Sequence, residues 1–209
     1  MYEILCFGDS NTWGYSPEMG GRFPRDVRWT GVLRHALGNG YYVIEEGQGG
    51  RTTVRDDPVE GEKNGLAYLG PCLESHAPLD IVVLLLGTND LKKRFSAPAS
   101  DIAGGAARLV EKILASRAGR GGAAPKIILL APPPLARLTS LAEMFEDGTE
   151  KSKKLGAYYR EVASRYKTAF LDTADIIHSS DIDGIHLEED EHRKLGQAVA
   201  RAVKSILAG

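Results

Sequence analysis

Ser10, Asn89, Asp183 and His186 are the residues of this chain whose types and settings suit chemistry. Ser10 sits in Gly8-Asp9-Ser10-Asn11-Thr12, directly after the apolar run Ile4-Leu5-Cys6-Phe7. Asn89 lies in Gly87-Thr88-Asn89-Asp90, after a second apolar run, Ile81 to Leu86. Asp183-Gly184-Ile185-His186 falls near the C-terminal end. A hydroxyl, an imidazole base, a carboxylate that can orient it and an amide donor are the parts of an acyl-transfer site.

Each part also has a plain reading. A Gly-Asp-Ser turn can simply cap a helix, and the last glycine of a Gly-x-Ser-x-Gly elbow is replaced here by Thr12. Of the five histidines, only His186 has an aspartate three residues before it, placed to hold one ring nitrogen and leave the other for Ser10. His35, His76, His178 and His192 read as structural or solvated. Asn89 suits donation to a developing oxyanion, or an ordinary Asn-Asp turn. Gly47, Gly49 and Gly50 follow the second apolar run, and any of them can offer a backbone N–H to that oxyanion or merely permit a tight turn.

The elements that must position these groups read as alternating strands and helices. Strands are expected at 3–8, 41–45, 80–86, 126–131 and 168–171, and helices near 28–38, 65–76, 101–118, 148–166 and 188–208. Alternation of this kind gives a parallel sheet with helices on both faces, and the continuously apolar run 81–86 suits a strand covered on both sides. The last helix is marked by Leu195, Ala198, Val199, Ala202, Val203, Ile206 and Leu207 at three- and four-residue spacing. Its opening acids, Glu188 to Glu191, suit the positive end of a helix dipole rather than a metal site. In such a sheet, sites form at the carboxyl ends of the strands. Ser10, Gly50 and Asn89 follow the first three strands, and Asp183 and His186 follow the last, so one crevice can hold them all. Loops 47–64 and 132–147 are long enough to serve as binding elements.

Composition narrows the class. The 209 residues suffice for one domain, 1–209, with a sizeable core. Lys and Arg number 26 against 28 Asp and Glu, which argues against nucleic acid or an anionic membrane as the main partner. No apolar stretch approaches the ~20 residues of a membrane span. Met1-Tyr2-Glu3 lacks the basic start and apolar middle of a signal peptide, so a cytoplasmic location is expected. Two cysteines, Cys6 and Cys72, are too few for a disulfide framework or a structural zinc site.

Taken in order, the Gly-Asp-Ser block, the glycine after the second strand, Gly-Thr-Asn-Asp and the C-terminal Asp-x-x-His resemble the SGNH (GDSL-type) hydrolases over essentially the whole chain. The stretches 4–10, 26–33, 43–47, 51–53, 132–135 and 183–186 are similar to the bacterial aryl esterase/acyltransferase branch. The resemblance implies a flavodoxin-like three-layer α/β/α fold with a five-stranded parallel sheet, and no metal or other cofactor. It implies Ser10 as nucleophile, His186 as base and then acid, Asp183 as its orienter, and an oxyanion hole from the Ser10 and Gly50 N–H groups and the Asn89 side chain. Gly49 stands where many members have serine. The resemblance further places Asp9, Asn11, Trp13, Tyr15, Thr88, Lys92 and Phe145 at the substrate, although Trp13 and Tyr15 also suit core packing and Lys92 a solvated charge. Relatives in this branch form homo-oligomers up to octamers, so a homo-oligomer is expected, with loop 16–25 as a contact. The activity implied is hydrolysis of small aryl or alkyl esters of short-chain acids through an acyl-serine, with transfer to alcohols or peroxide. A carbohydrate acetylesterase or thioesterase is the alternative.

Overall fold

The central strands of this protein are apolar on both faces, and the sheet they form is covered on both. The structure, a computed structural model, describes residues 1–208. Five parallel strands, β1 (Tyr2–Gly8), β4 (Tyr41–Gly47), β5 (Ile81–Leu85), β6 (Lys126–Ala131) and β7 (Ala169–Asp172), lie in the order β4-β1-β5-β6-β7. Because side chains alternate along a strand, Ile4 and Cys6 of β1 join one apolar cluster while Leu5 and Phe7 join the other. On β5, Ile81, Val83 and Leu85 divide from Val82 and Leu84 in the same way.

Each cluster is closed by its own helices. Trp29 and Leu33 of α2 (Trp29–Leu37) and Leu195, Val199 and Val203 of α7 (Glu189–Ala208) cover one face. Leu69 and Leu73 of α3 (Gly65–Ser75), Ile102 and Leu109 of α4 (Ala99–Leu114) and Tyr159 of α6 (Leu155–Tyr166) cover the other. Removing one such side chain, as in Leu84→Ala, is expected to cost about 2–5 kcal/mol. Among the described residues no helix is long and apolar enough to cross a membrane.

Three elements differ from the sequence reading. The helix expected at 101–118 ends at Leu114, because Ser116 turns both its N–H and its hydroxyl back to the Ile113 carbonyl (3.0 and 2.7 Å). The helix expected at 148–166 is two, α5 (Gly148–Ser152) and α6. At the break the Ser152 hydroxyl accepts the Leu135 N–H at 2.9 Å and so fastens the 132–147 loop. A two-stranded hairpin, β2 (Tyr15–Ser16) with β3 (Gly21–Arg22), occupies part of the 16–25 loop, and its strands are too short to leave an alternating pattern.

Register brings the strand ends level. Gly8 pairs with Gly47 on one side and Leu85 on the other, and Leu85 pairs with Leu130. The segments after β1, β4 and β5 therefore leave the sheet at one edge, and the loop between β7 and α7 returns to it.

Candidate active site

Backbone crowding shapes the turn that carries Ser10. A Cβ at Gly8 would collide with the Thr12 side chain and stand 2.8 Å from the Leu85 carbonyl, so only glycine lets the chain turn here. Asp9 then caps the four-residue helix α1 (Ser10–Trp13): its Oδ1 accepts the Asn11 N–H at 3.0 Å. Asn11 donates from Nδ2 to the Ile185 carbonyl at 3.4 Å, tying the Ser10 turn to the segment that bears His186.

That segment is held by Asp183. Its Oδ1 accepts the N–H groups of Ile185 (2.8 Å) and His186 (2.9 Å), and its Oδ2 meets His186 Nδ1 at 2.6 Å. Burial pushes the Asp183 carboxyl up, but these hydrogen bonds outweigh it and leave the group below the usual aspartate range. An ionised carboxylate only accepts, so Nδ1 carries the proton and Nε2 offers a lone pair. Ser10 Oγ lies 3.0 Å from Nε2 and donates to it. The Tyr15 ring packs on the imidazole with centroids 4.2 Å apart, and Ser180 N–H donates to the His186 carbonyl at 2.8 Å. The ring is thus fixed on its face, at Nδ1 and through its backbone.

Beside this chain of hydrogen bonds is an open cavity of about 210 Å³. Ser10, His186, Tyr15, Gly49, Gly50 and Asn89 all contribute to its lining. Asn89 Nδ2 donates to the Arg51 carbonyl at 3.1 Å, which orients the amide and leaves its second hydrogen for the cavity. Arg51 anchors this loop in turn: it donates to the carbonyls of Gly8 (2.9 Å) and Glu46, and its guanidinium stacks 4.3 Å from the Phe7 ring. Gly50 has φ +79°, and a Cβ there would strike the Glu60 carboxylate.

The remaining walls differ in character. Leu141, Met144, Phe145 and Ile185 make one apolar. Lys92 and Glu60 make the other charged: they pair directly, and Asp57 Oδ2 lies 3.6 Å from Lys92 Nζ. Arg94 reaches Asp57 (2.7 Å) and Glu60 (2.6 Å). Burial raises the Asp57 carboxyl, yet Arg94 and the Val59 and Glu60 N–H groups overcome this and bring it to about 2.

Of the residues expected at the substrate, Tyr15, Lys92 and Phe145 line the cavity and four do not. Asp9 and Asn11 are almost wholly buried, engaged in the cap and the tie to Ile185. The Trp13 ring lies beneath the Arg22 guanidinium, 5.0 Å away, on the hairpin side. Thr88 is 4% exposed and absent from the cavity wall. Lys92, expected at the substrate with a solvated charge as the plain alternative, is 2% exposed and paired with Asp57 and Glu60. Glu60 was not foreseen. The signal was a lysine near a strand end together with an acid-rich loop, since a buried lysine requires a partner.

The expected loops do reach the cavity. Loop 47–64 supplies Gly49, Gly50 and Glu60, and loop 132–147 supplies Leu141, Met144 and Phe145. Among the other histidines, His192 is fully buried and accepts the Trp29 N–H at Nδ1 (3.2 Å); burial pushes it down to about 3.

The profile of the GDSL-like lipase/acylhydrolase family matches residues 6–194. No curated protein matches the chain. Two solved structures are similar to it over nearly its full length. The aryl esterase of M. smegmatis is 45% identical, with a TM-score of 0.94 over 98% of this chain and 99% of that one. Est24, a carbohydrate acetylesterase from Sinorhizobium meliloti, is 42% identical, with a TM-score of 0.95 over 99% of this chain and 100% of the other. The five-stranded parallel sheet with helices on both sides is the SGNH hydrolase fold of these neighbours. The chain belongs to the GDSL-like lipase/acylhydrolase family and is an enzyme, a carboxylic ester hydrolase.

Proposed function

We propose that the protein hydrolyses small esters of short-chain acids through an acyl-Ser10 intermediate. The observation that carries this reading is the unbroken chain from Ser10 Oγ to His186 Nε2 (3.0 Å) and from Nδ1 to Asp183 (2.6 Å), opening on a cavity of about 210 Å³. Ser10 attacks the ester carbonyl as His186 takes its proton. The N–H groups of Ser10 and Gly50 and the second amide hydrogen of Asn89 receive the oxyanion. Collapse expels the alcohol, which takes the proton back from the imidazolium. Water, deprotonated by the same imidazole, then releases the acid. The apolar wall of Leu141, Met144, Phe145 and Ile185 favours an aryl or alkyl group and admits an alcohol, or peroxide, in place of that water.

A second reading rests on the charged residues of the lining. Lys92 and Glu60 offer charged hydrogen-bonding groups to a polyhydroxylated alcohol, which suits an acetylated sugar. The test is product analysis with phenyl acetate and benzyl alcohol in buffer, beside a peracetylated sugar, for wild type and Ser10→Ala. Benzyl acetate forming in preference to free acetate, only with Ser10, supports ester transfer in an apolar pocket. Faster Ser10-dependent turnover of the sugar ester moves the assignment to carbohydrate esters. Ser10→Ala retaining full activity on both would sink the mechanism.

A further inference from the structure

Outside the catalytic cavity, β4 and α3 bring three unlike donor groups together. Cys72 and His76 lie four residues apart, one turn of helix, so they share a face. Glu46, from the end of β4, meets them. The thiol sulfur, an imidazole nitrogen and a carboxylate oxygen all lie within 4.8 Å of one another. His76 Nε2 is 2.9 Å from Glu46 Oε1, and the Tyr68 hydroxyl donates to Glu46 Oε2 at 3.2 Å. Cys72 is a free, buried thiol. The reaction assigned to Ser10 uses none of these side chains.

We propose that Glu46, Cys72 and His76 form a binding site for a thiophilic divalent cation of the zinc class. The donor set decides the class: thiolate, imidazole and carboxylate together suit zinc, whereas calcium and magnesium take oxygen ligands. Zinc bonds of 2.0–2.3 Å set tetrahedral ligands roughly 3.3–3.8 Å apart. The His76–Glu46 contact of 2.9 Å therefore opens by less than about 1 Å, and the sulfur, within 4.8 Å of both, needs to close by no more than about 1–1.5 Å. Tyr68 already holds the second carboxylate oxygen, the kind of outer hydrogen bond that fixes a ligand's orientation. Access is available, because Glu46 and His76 keep 20% and 29% of their side chains exposed.

Three protein donors leave a fourth position for water or an anion. Arg51, which donates to the Glu46 carbonyl, adds positive charge to the neighbourhood of the dication. That charge keeps affinity below that of a closed four-ligand site. The proton balance is defined. An ordinary thiol keeps its proton at neutral pH, so the free protein holds S–H at Cys72. Binding breaks that bond, forms sulfur–metal and sends the proton to buffer; the His76 proton that Nε2 shares with Glu46 in the free protein moves to Nδ1 through solvent, so that Nε2 can give its lone pair. Cys6 cannot substitute, because it is buried in the apolar cluster on the other face of the sheet.

The experiment titrates Co²⁺ and then Zn²⁺ into the chelator-treated protein. One equivalent of Co²⁺ should produce the near-ultraviolet thiolate-to-cobalt charge-transfer band, and Zn²⁺ should abolish it. Cys72→Ala should lack the band, and His76→Ala should bind Zn²⁺ at least about tenfold more weakly. Calorimetry of Zn²⁺ binding to the wild type, in buffers of different protonation enthalpy, should report release of about one proton at neutral pH. Absence of saturable binding, an undiminished band in Cys72→Ala, or zinc binding without proton release would each overturn the site. The last readout needs no variant, so a misfolded substitution leaves it intact.

Discussion

Asp183 decides what His186 can do. With Oδ2 on Nδ1 and Oδ1 on two backbone N–H groups, it fixes the tautomer and the ring direction together. Asp183→Asn keeps the shape but favours a proton on Nε2, the atom that must accept from Ser10, so kcat should fall on the order of 10⁴-fold. A loss below tenfold would mean the carboxylate is not the orienting group. With Asn89 in the oxyanion-donor role proposed above, Asn89→Ala should lower kcat about 100–1000-fold with KM little changed. Steady-state kinetics on phenyl acetate separate the two parameters, and a change confined to KM would remove Asn89 from the transition state. Asp183 and His186 stand three apart and so pair locally, whereas Ser10 and His186 are 176 residues apart and were linked in the sequence only by their placement after strand ends. Glu60 was not legible, since its partner Lys92 lies 32 residues further on and only folding brings them together.

Between residues and fold, the strand-end loops set the site's precision. Gly50 is held at φ +79° against the Glu60 carboxylate, which Lys92 and Arg94 fix in place. Gly50→Ala should cost about 1–2 kcal/mol from the left-handed backbone alone. The added methyl must also displace Glu60 from its two partners, so the catalytic loss should exceed what the stability loss implies. Glu60→Ala in the same chain removes the obstacle, and the double variant should recover part of the rate lost in Gly50→Ala. Additive losses in that double-mutant cycle would show that Glu60 does not govern the loop. The sequence placed these loops correctly because strand ends are written in apolar runs. It could not show the break between α5 and α6, since that break depends on a hydrogen bond from Leu135 to Ser152 seventeen residues away.

Buried ionisable groups couple the whole molecule to pH. Burial lifts Asp9 to about 6, against the Asn11 N–H and the nearby His186 and Arg51. Burial likewise lifts Asp90 to about 6, against its hydrogen bonds from Thr53 N–H (2.9 Å) and hydroxyl (2.6 Å). Both folded values stand above the unfolded 3.8, so the native state holds more protons and these two groups lose stabilisation as pH rises toward 6. His192 has the opposite sign. Its folded value of about 3 lies below 6.5, so it stabilises neutral protein and loses that contribution as pH falls. Between about pH 5 and 6 the depressed carboxyls, Asp57 and Asp183 among them, are ionised in both states and drop out. Two carboxyls then oppose one imidazole, and stability should decline with rising pH by on the order of 1 kcal/mol. Asp90→Asn leaves one against one, and its stability should be nearly flat over the same window. Urea unfolding at several pH values measures both slopes. Equal slopes in the two proteins would place the Asp90 carboxyl at an ordinary value and remove it from the pH response. The same measurement bears on function, because Asp9 caps the turn that presents Ser10 and Asp90 directly follows Asn89 in the chain.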